Sequence, residues 1–347
     1  MAKHNPKAVE YLPYAMLSPY SDQQLIVAAR LYFVDEQSQA EIANFIGVSQ
    51  SKVSRMLALA RARGLVHISV PEYEPRNQEL ERALKETLDV DSVVIRSVVG
   101  LTPPQLRQTI GYFAAPIVQQ WLRPRTTVLF AGGRSVLPLA LNMRPPEGAY
   151  GIRFAEAMGH IDSTPGPYDA EEICRHLART WRGSVLTMNA PLLFPDRDSC
   201  ERFLKMEQIQ QAMEALTHAD IIFAGVGNLD DSVIIDRHVF SRDDFAMLKT
   251  VGATGELLGR FYDARGQECQ TALCHRIMSL PLAKLRGIPK RVGVIAGRER
   301  TAAIVAGIRG SLINTLVVDD VGAAALLQDA KAAQGKNHSR SQSRRRS

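Results

Sequence analysis

The chain has few cysteines, no long apolar run and, outside its last residues, no excess charge. Only four of its 347 residues are cysteine, namely Cys174, Cys200, Cys269 and Cys274, and no two form a CxxC pair. This excludes a disulfide scaffold and predicts reduced thiols, as in a cytoplasmic protein. Cys269, Cys274 and His275 are close in sequence, but no second Cys or His pair stands at zinc spacing, so no metal site is expected. No apolar stretch approaches the roughly 18 residues that span a bilayer, so no membrane partner is expected. The opening stretch MAKHNPKAVEYLPYAMLSPYS has no continuous apolar segment, which argues against a secretory signal.

The net charge of +6 is misleading as a nucleic-acid signal. Residues 331–347 carry Lys331, Lys336, Arg340, Arg344, Arg345 and Arg346 and no acid, so the remainder is neutral. That segment has no apolar residue larger than alanine and is predicted to be a basic, disordered tail. Catalytic motifs are absent too. His160, His176, His218, His238 and His275 fall in no nucleophile or metal motif, and no cofactor is expected.

Length alone suggests one small domain and one of roughly 200–250 residues. After an N-terminal arm (1–20), residues 21–72 pattern as three helices. Residues 21–34, SDQQLIVAARLYFV, read as a helix with Ser21 as its N-cap and Leu25, Ala28, Ala29 and Tyr32 recurring at helical spacing. Ser38 and Glu41 form a capping box for a short second helix that Gly47 ends. Ser49 starts a third helix with Val53, Met56, Leu57 and Ala60 facing inward. Two helices joined by a short turn, with small Ala43 at their crossing, have the geometry of a helix-turn-helix DNA reader. The third helix carries Lys52, Arg55, Arg61 and Arg63 and no acid. Its start, Ser49, Gln50, Ser51, Lys52, Ser54 and Arg55, is the candidate surface for base edges and phosphates. The alternation in LVHISV, residues 65–70, predicts a wing strand.

A connector helix is expected within 73–90. From 91 to 330, strand and helix patterns alternate. The strands read as short apolar runs near 92–99, 127–131, 151–157, 184–188, 221–225, 291–296 and 315–318. Helices are expected near 103–122, 134–142, 168–182, 200–218, 241–249, 299–309 and 320–328. Apolar strands between helices predict a doubly wound α/β domain with a parallel sheet, whose ligands bind beyond the carboxyl ends of the strands.

Three strand ends run into loops suited to a small polar ligand. The first is Gly132, Gly133, Arg134 and Ser135, which opens a helix and suits an anion. The second follows Gly225 and includes Gly227, Asn228, Asp230 and Asp231, fit for sugar hydroxyls. The third contains Arg298 and Arg300. Residues 252–264, GATGELLGRFYDA, show neither period and read as a loop, with Glu256, Arg260 and Asp263 as candidate contacts. The effector site is therefore expected at Gly132, Gly133, Arg134, Ser135, Gly227, Asn228, Asp230, Glu256 and Arg298.

With these motifs in hand, the chain resembles the SorC family of sugar-responsive bacterial regulators, close to the DeoR regulators. The resemblance runs from about residue 21 to 328. It rests on GVSQSKVSRMLALARARGLVHI, GGRS at 132–135, GVGNLDDS at 225–232, GATGELLGRFYDARG at 252–266 and VIAGRERTAAIVAGIRGSLINTLVVDD at 294–320. It implies an effector domain related to sugar-phosphate isomerases, a phosphorylated sugar or polyol as effector, operator DNA as partner, and homodimers or homotetramers. Thr301 stands where the family often has Lys, a charge that Arg298 or Arg300 could replace. The expected function is a ligand-controlled repressor or activator of carbohydrate or polyol metabolism. The alternative is a sugar-phosphate isomerase or deaminase with an accessory DNA-binding domain, whose general base would have to come from Glu256, Asp230, Asp231 or Asp263.

Overall fold

The computed structural model describes residues 20–71, 73–162 and 166–344. The expected N-terminal arm lies outside the described residues apart from Tyr20. The chain divides into two compact units, Met1–Tyr73 and Glu74–Ser347.

The first unit contains α1 (Asp22–Phe33), α2 (Gln39–Ile46) and α3 (Gln50–Ala62). Local chemistry sets two of the helix starts. Ser21 with Gln24, and Ser38 with Glu41, close reciprocal capping boxes that satisfy two orphan N–H groups each. Gly47 takes the left-handed conformation that stops α2. Ser49 departs from expectation. It occupies the extended N-cap position, but its hydroxyl meets that of Ser51 at 3.0 Å and caps no N–H. Leu25, Ala28, Ile42, Val53, Met56 and Ala60 bury almost completely as one core. Arg63 at the end of α3 pairs with Asp22 at the start of α1, 2.7 Å away.

No strand forms at residues 65–70. Alternation alone cannot make a strand, because the extended segment needs a neighbouring edge for its N–H and C=O groups. Ile68 and Val70 are left exposed.

The second unit begins with α4 (Gln78–Leu88), which packs on β1 (Asp91–Ile95) and so belongs to this unit instead of standing apart as a connector. There follow α5 (Pro103–Val118), β2 (Thr127–Phe130), α6 (Val136–Asn142), β3 (Arg153–Glu156), α7 (Ala170–Trp181) and β4 (Ser184–Leu186). The segment expected as one helix over 200–218 is two, α8 (Arg197–Leu204) and α9 (Glu207–Thr217), because Met206 between them is extended. Then come β5 (Ile221–Gly225), α10 (Val233–Asp236), α11 (Arg242–Thr250), β6 (Ala253–Leu257), β7 (Arg260–Asp263), α12 (Leu282–Leu285), β8 (Lys290–Val294), α13 (Thr301–Arg309), β9 (Thr315–Asp319) and α14 (Asp320–Arg344).

Seven strands form one sheet in the order β1-β9-β8-β5-β2-β3-β4, every pair parallel. Alternate residues of each strand bury on opposite faces. Val93, Val128, Phe130, Phe223, Val292 and Val317 enter one core, and Val94, Leu129, Ile222, Leu316 and Val318 the other. Covering both faces is why these strands read as unbroken apolar runs. Phe130 stacks on Phe223 across β2 and β5 with ring centres 5.1 Å apart. Strand order reverses at this pair. The chain leaves β2 towards β3 and β4, then returns to β5 on the other side of β2. A crevice opens beyond the strand ends at such a reversal.

Residues 252–264 are not the loop their composition suggested. They form the antiparallel hairpin β6–β7, turned by Leu258 and Gly259, both at positive φ as a tight two-residue turn requires. Nor is the backbone of 331–344 irregular, for α14 continues to Arg344. Its first turns pack on the sheet, so the nucleation cost is already met and each further residue adds only a propagation step. Among the described residues no helix is long and apolar enough to cross a membrane, and no group of three His, Cys, Asp or Glu could hold a metal ion.

Candidate functional site

The strand reversal holds a cleft of about 640 Å³, counted to its open mouth. Gly132, Gly133, Arg134 and Ser135 line it from the β2 loop, Gly227, Asp231 and Ser232 from the β5 loop, and Glu256 and Leu258 from the hairpin. Arg107 of α5 and Arg300, just before α13, complete it.

The loops are held close by small residues and backbone pairing. A Cβ on Gly132 would stand 2.6 Å from the Tyr168 carbonyl oxygen, and one on Gly227 would stand 2.4 Å from Glu256 Oε2. Neither position has room for a side chain. Gly227 and Glu256 exchange backbone hydrogen bonds of 3.0 and 2.9 Å, which fasten the β5 loop to the hairpin. Arg237 reaches Asp169 at 2.7 Å and Asp162 at 3.2 Å, tying down the segments behind the β2 loop.

Charge is concentrated in the cleft. Asp231 pairs with both Arg134 and Arg300. Burial works to raise the Asp231 carboxyl, but the two guanidinium groups outweigh it and hold the group below its ordinary range. Burial lowers Arg107, and repulsion from Arg134 and Arg300 adds to it. Burial pushes the Glu256 carboxyl up to about 7, against the opposing pull of the Gly259 N–H and Arg300. Its Oε1 accepts that N–H at 2.7 Å. Three cations thus share the cleft with one firmly ionised acid and one acid poised near neutrality, an arrangement that favours an anion.

Of the nine effector residues expected from sequence, six line the cleft: Gly132, Gly133, Arg134, Ser135, Gly227 and Glu256. Asn228 turns inward on its own loop, where Oδ1 accepts the N–H groups of Asp230 and Asp231 at 2.9 and 2.8 Å. Asp230 is outside the cleft, and its neighbour Asp231 is within it. Arg298 faces a separate shallow groove with Asn77, Leu80 and Asp320. Gly297, at positive φ and bonded to Asp319, turns the loop so that Arg300 enters the cleft. Arg260 and Asp263 serve the fold. Arg260 is buried among Glu268, Ser279 and three carbonyls, and Asp263 accepts the N–H groups of Arg265 and Gln267. The β2 loop also offers less to an anion than its glycines promised. The Gly133 N–H is taken by the Tyr168 carbonyl at 2.8 Å, and α6 is only seven residues long. The nine-residue set left out three charged residues of the cleft: Asp231 and Arg300, which stand in loops the sequence had singled out, and Arg107, which it had not. The only signal for Arg107 was an Arg on the helix following β1, at the same sheet edge.

The first unit presents a different kind of surface. Ser49, Gln50, Ser51, Lys52, Ser54 and Arg55 are all exposed along one end of α3, while Val53, Met56 and Leu57 point into the core. Lys52 and Arg55 hold no ion pair among the described residues. Such a row of exposed polar groups and cations can reach phosphates and base edges.

Residues 75–328 match the family model described as "Putative sugar-binding domain". The deoxyribonucleoside regulator of Bacillus subtilis (strain 168) is 27% identical over 312 residues, covering 88% of this chain and 98% of that protein. The transcriptional regulator LsrR of Escherichia coli (strain K12) is also 27% identical over 312 residues, covering 88% and 95%. The crystal structure of the full-length sorbitol operon regulator SorC from Klebsiella pneumoniae superposes with a TM-score of 0.71 at 24% identity, covering 89% of this chain and 99% of that one.

Proposed function

This chain belongs to the SorC/DeoR-type family of sugar-binding transcriptional regulators, and from that premise we propose that it reads operator DNA with α3 and answers to a phosphorylated sugar or polyol in the cleft between β2 and β5. The observation that carries the effector reading is the convergence of Arg107, Arg134 and Arg300 on one cleft beside the buried Glu256. The cations suit a phosphate, and Glu256 and Ser232 lie within the same walls for hydroxyls. Oligomers placing two copies of α3 on operator half-sites would make the spacing of those copies the regulated quantity. The effector must then favour one arrangement over the other.

A thermal-shift screen over sugar and polyol phosphates, with each unphosphorylated parent beside it, tests the reading, since a ligand that binds the native state raises its melting temperature. Phosphorylated compounds alone are expected to stabilise the protein and to alter operator binding in a gel-shift titration. Stabilisation by the parents to the same degree would remove phosphate from the proposal. One observation favours a second reading, an isomerase-like activity: a buried carboxyl near neutrality in the cleft can act as a general base. Turnover of any compound that binds would establish it.

A further inference from the structure

Asp231 sits where an effector's anion would be expected, and nothing in the sequence singles it out from Asp230. Its carboxylate bridges Arg134 of the β2 loop and Arg300 of the β8 loop, joining the two sides of the cleft through the β5 loop between them. The loop presents it deliberately. Asn228 Oδ1 accepts the Asp231 N–H at 2.8 Å, closing a tight turn that fixes the backbone but leaves the carboxylate to the arginines. Asp231 remains about two-fifths exposed, whereas Arg300 is about nine-tenths buried, with Nε unpartnered among the described residues. The Arg300 guanidinium is thus the fixed part of the cluster, and the carboxylate is the part that can leave into water.

On the reading that this cleft takes an anionic effector, we propose that Asp231 is a tethered competitor for it: an internal anion that occupies the arginines in the free protein and is displaced when the effector's charged group enters. Two consequences follow from charge alone. An uncharged sugar cannot replace a carboxylate on two guanidinium groups, so Asp231 excludes the dephosphorylated compound. A phosphate can replace it, carrying more charge and three acceptor oxygens, and Arg107 supplies a third cation, which feels the Asp231 charge but is not one of the two arginines Asp231 pairs with. Displacement also removes the ties from the β5 loop to Arg134 and Arg300, and Gly227 couples that loop to Glu256 and the hairpin, so the same event that selects the ligand reports its arrival.

The test uses the full-length chain and inorganic phosphate as probe, with affinity read by calorimetry and melting temperature with and without phosphate. Asp231→Asn keeps the shape and removes the competitor. It is expected to melt lower than wild type in phosphate-free buffer, to bind phosphate about tenfold more tightly, and to regain wild-type stability once saturated. Asp231→Glu keeps the charge and is expected to bind phosphate as wild type does. Should Asp231→Asn fold only in phosphate, the steepness of its melting temperature against phosphate concentration replaces calorimetry, and a slope no greater than wild type's overturns the proposal. Equal or weaker phosphate binding by a folded Asp231→Asn overturns it also. Arg300→Ala separates this from the underlying reading. If phosphate binding is lost in Arg300→Ala but unchanged in Asp231→Asn, the anion site stands and the competitor falls. If neither wild type nor Asp231→Asn binds phosphate, or if Arg300→Ala binds it undiminished, the anion site itself falls.

Discussion

The two units place their charged candidates in opposite ways. On α3 the polar row from Ser49 to Arg55 is exposed, and Lys52 and Arg55 carry no ion pair among the described residues. In the cleft, Glu256 is buried, the Arg300 side chain is about nine-tenths buried, and Asp231 is shared between two arginines. The difference follows from the size of what each would bind. A duplex is a large, rigid polyanion that can press against a surface whose side chains stay hydrated until contact. A small ligand has to be surrounded, so its binding groups leave water on folding and need interim partners. One surface is therefore built from local helix geometry, and the other from long-range charge balance.

The strongest challenge to this contrast is Gly132→Val. A Cβ there meets the Tyr168 carbonyl at 2.6 Å, so the β2 loop must move. The loss should exceed about 3 kcal/mol in the second unit, as for other overpacked or strained sites, and leave the three-helix unit folded. Thermal melts followed by circular dichroism should show one transition shifted down and one unmoved. A single shifted transition would mean that the units do not fold independently.

Glu156→Gln probes a charge that the cleft does not use. Glu156 ends β3 almost wholly buried, and burial, with Glu171 nearby, pushes it up to about 7 against the weaker pull of the Met188 backbone and Arg175. A raised carboxyl contributes stability that is complete below its unfolded value of 4.5 and is lost as pH rises through about 7. The variant should therefore match wild type below about pH 4 and exceed it by about 3 kcal/mol above pH 8. Urea melts across that range measure it, and a constant offset would show that Glu156 titrates normally.

Arg55→Ala should have the smallest effect on the fold, because nothing in the unit leans on its side chain. Operator affinity at fixed salt should fall by about 1–3 kcal/mol with no change in melting temperature. Unchanged affinity in a gel-shift titration would mean that another element enters the groove.

How much could be read without coordinates varied with the range of the interaction. The caps at Ser21 and Ser38 are contacts over three residues, and the pattern announced both. Apolar runs located every strand of the large sheet, because two covered faces leave no polar alternation to misread. The hairpin of residues 253–263 escaped, since glycines and a buried Arg260 blur the alternation that marks a strand. The wing failed for the converse reason: residues 65–70 alternate but have no partner edge.

Sequence by itself determined the elements and the edge of the sheet at which a ligand could sit, because helix caps, apolar periodicity and strand-to-loop order are properties of neighbouring residues. Only the tertiary structure decided which charges meet there. Arg107, Arg134, Asp231 and Arg300 are scattered over nearly two hundred positions. They converge because strand order reverses between β2 and β5 and β8 lies beside β5. A single turn at Gly297 then sends Arg298 to one groove and Arg300 to the cleft. Spacing along the chain carries no information about that choice, since outside a helix or strand nothing fixes the direction in which successive side chains point.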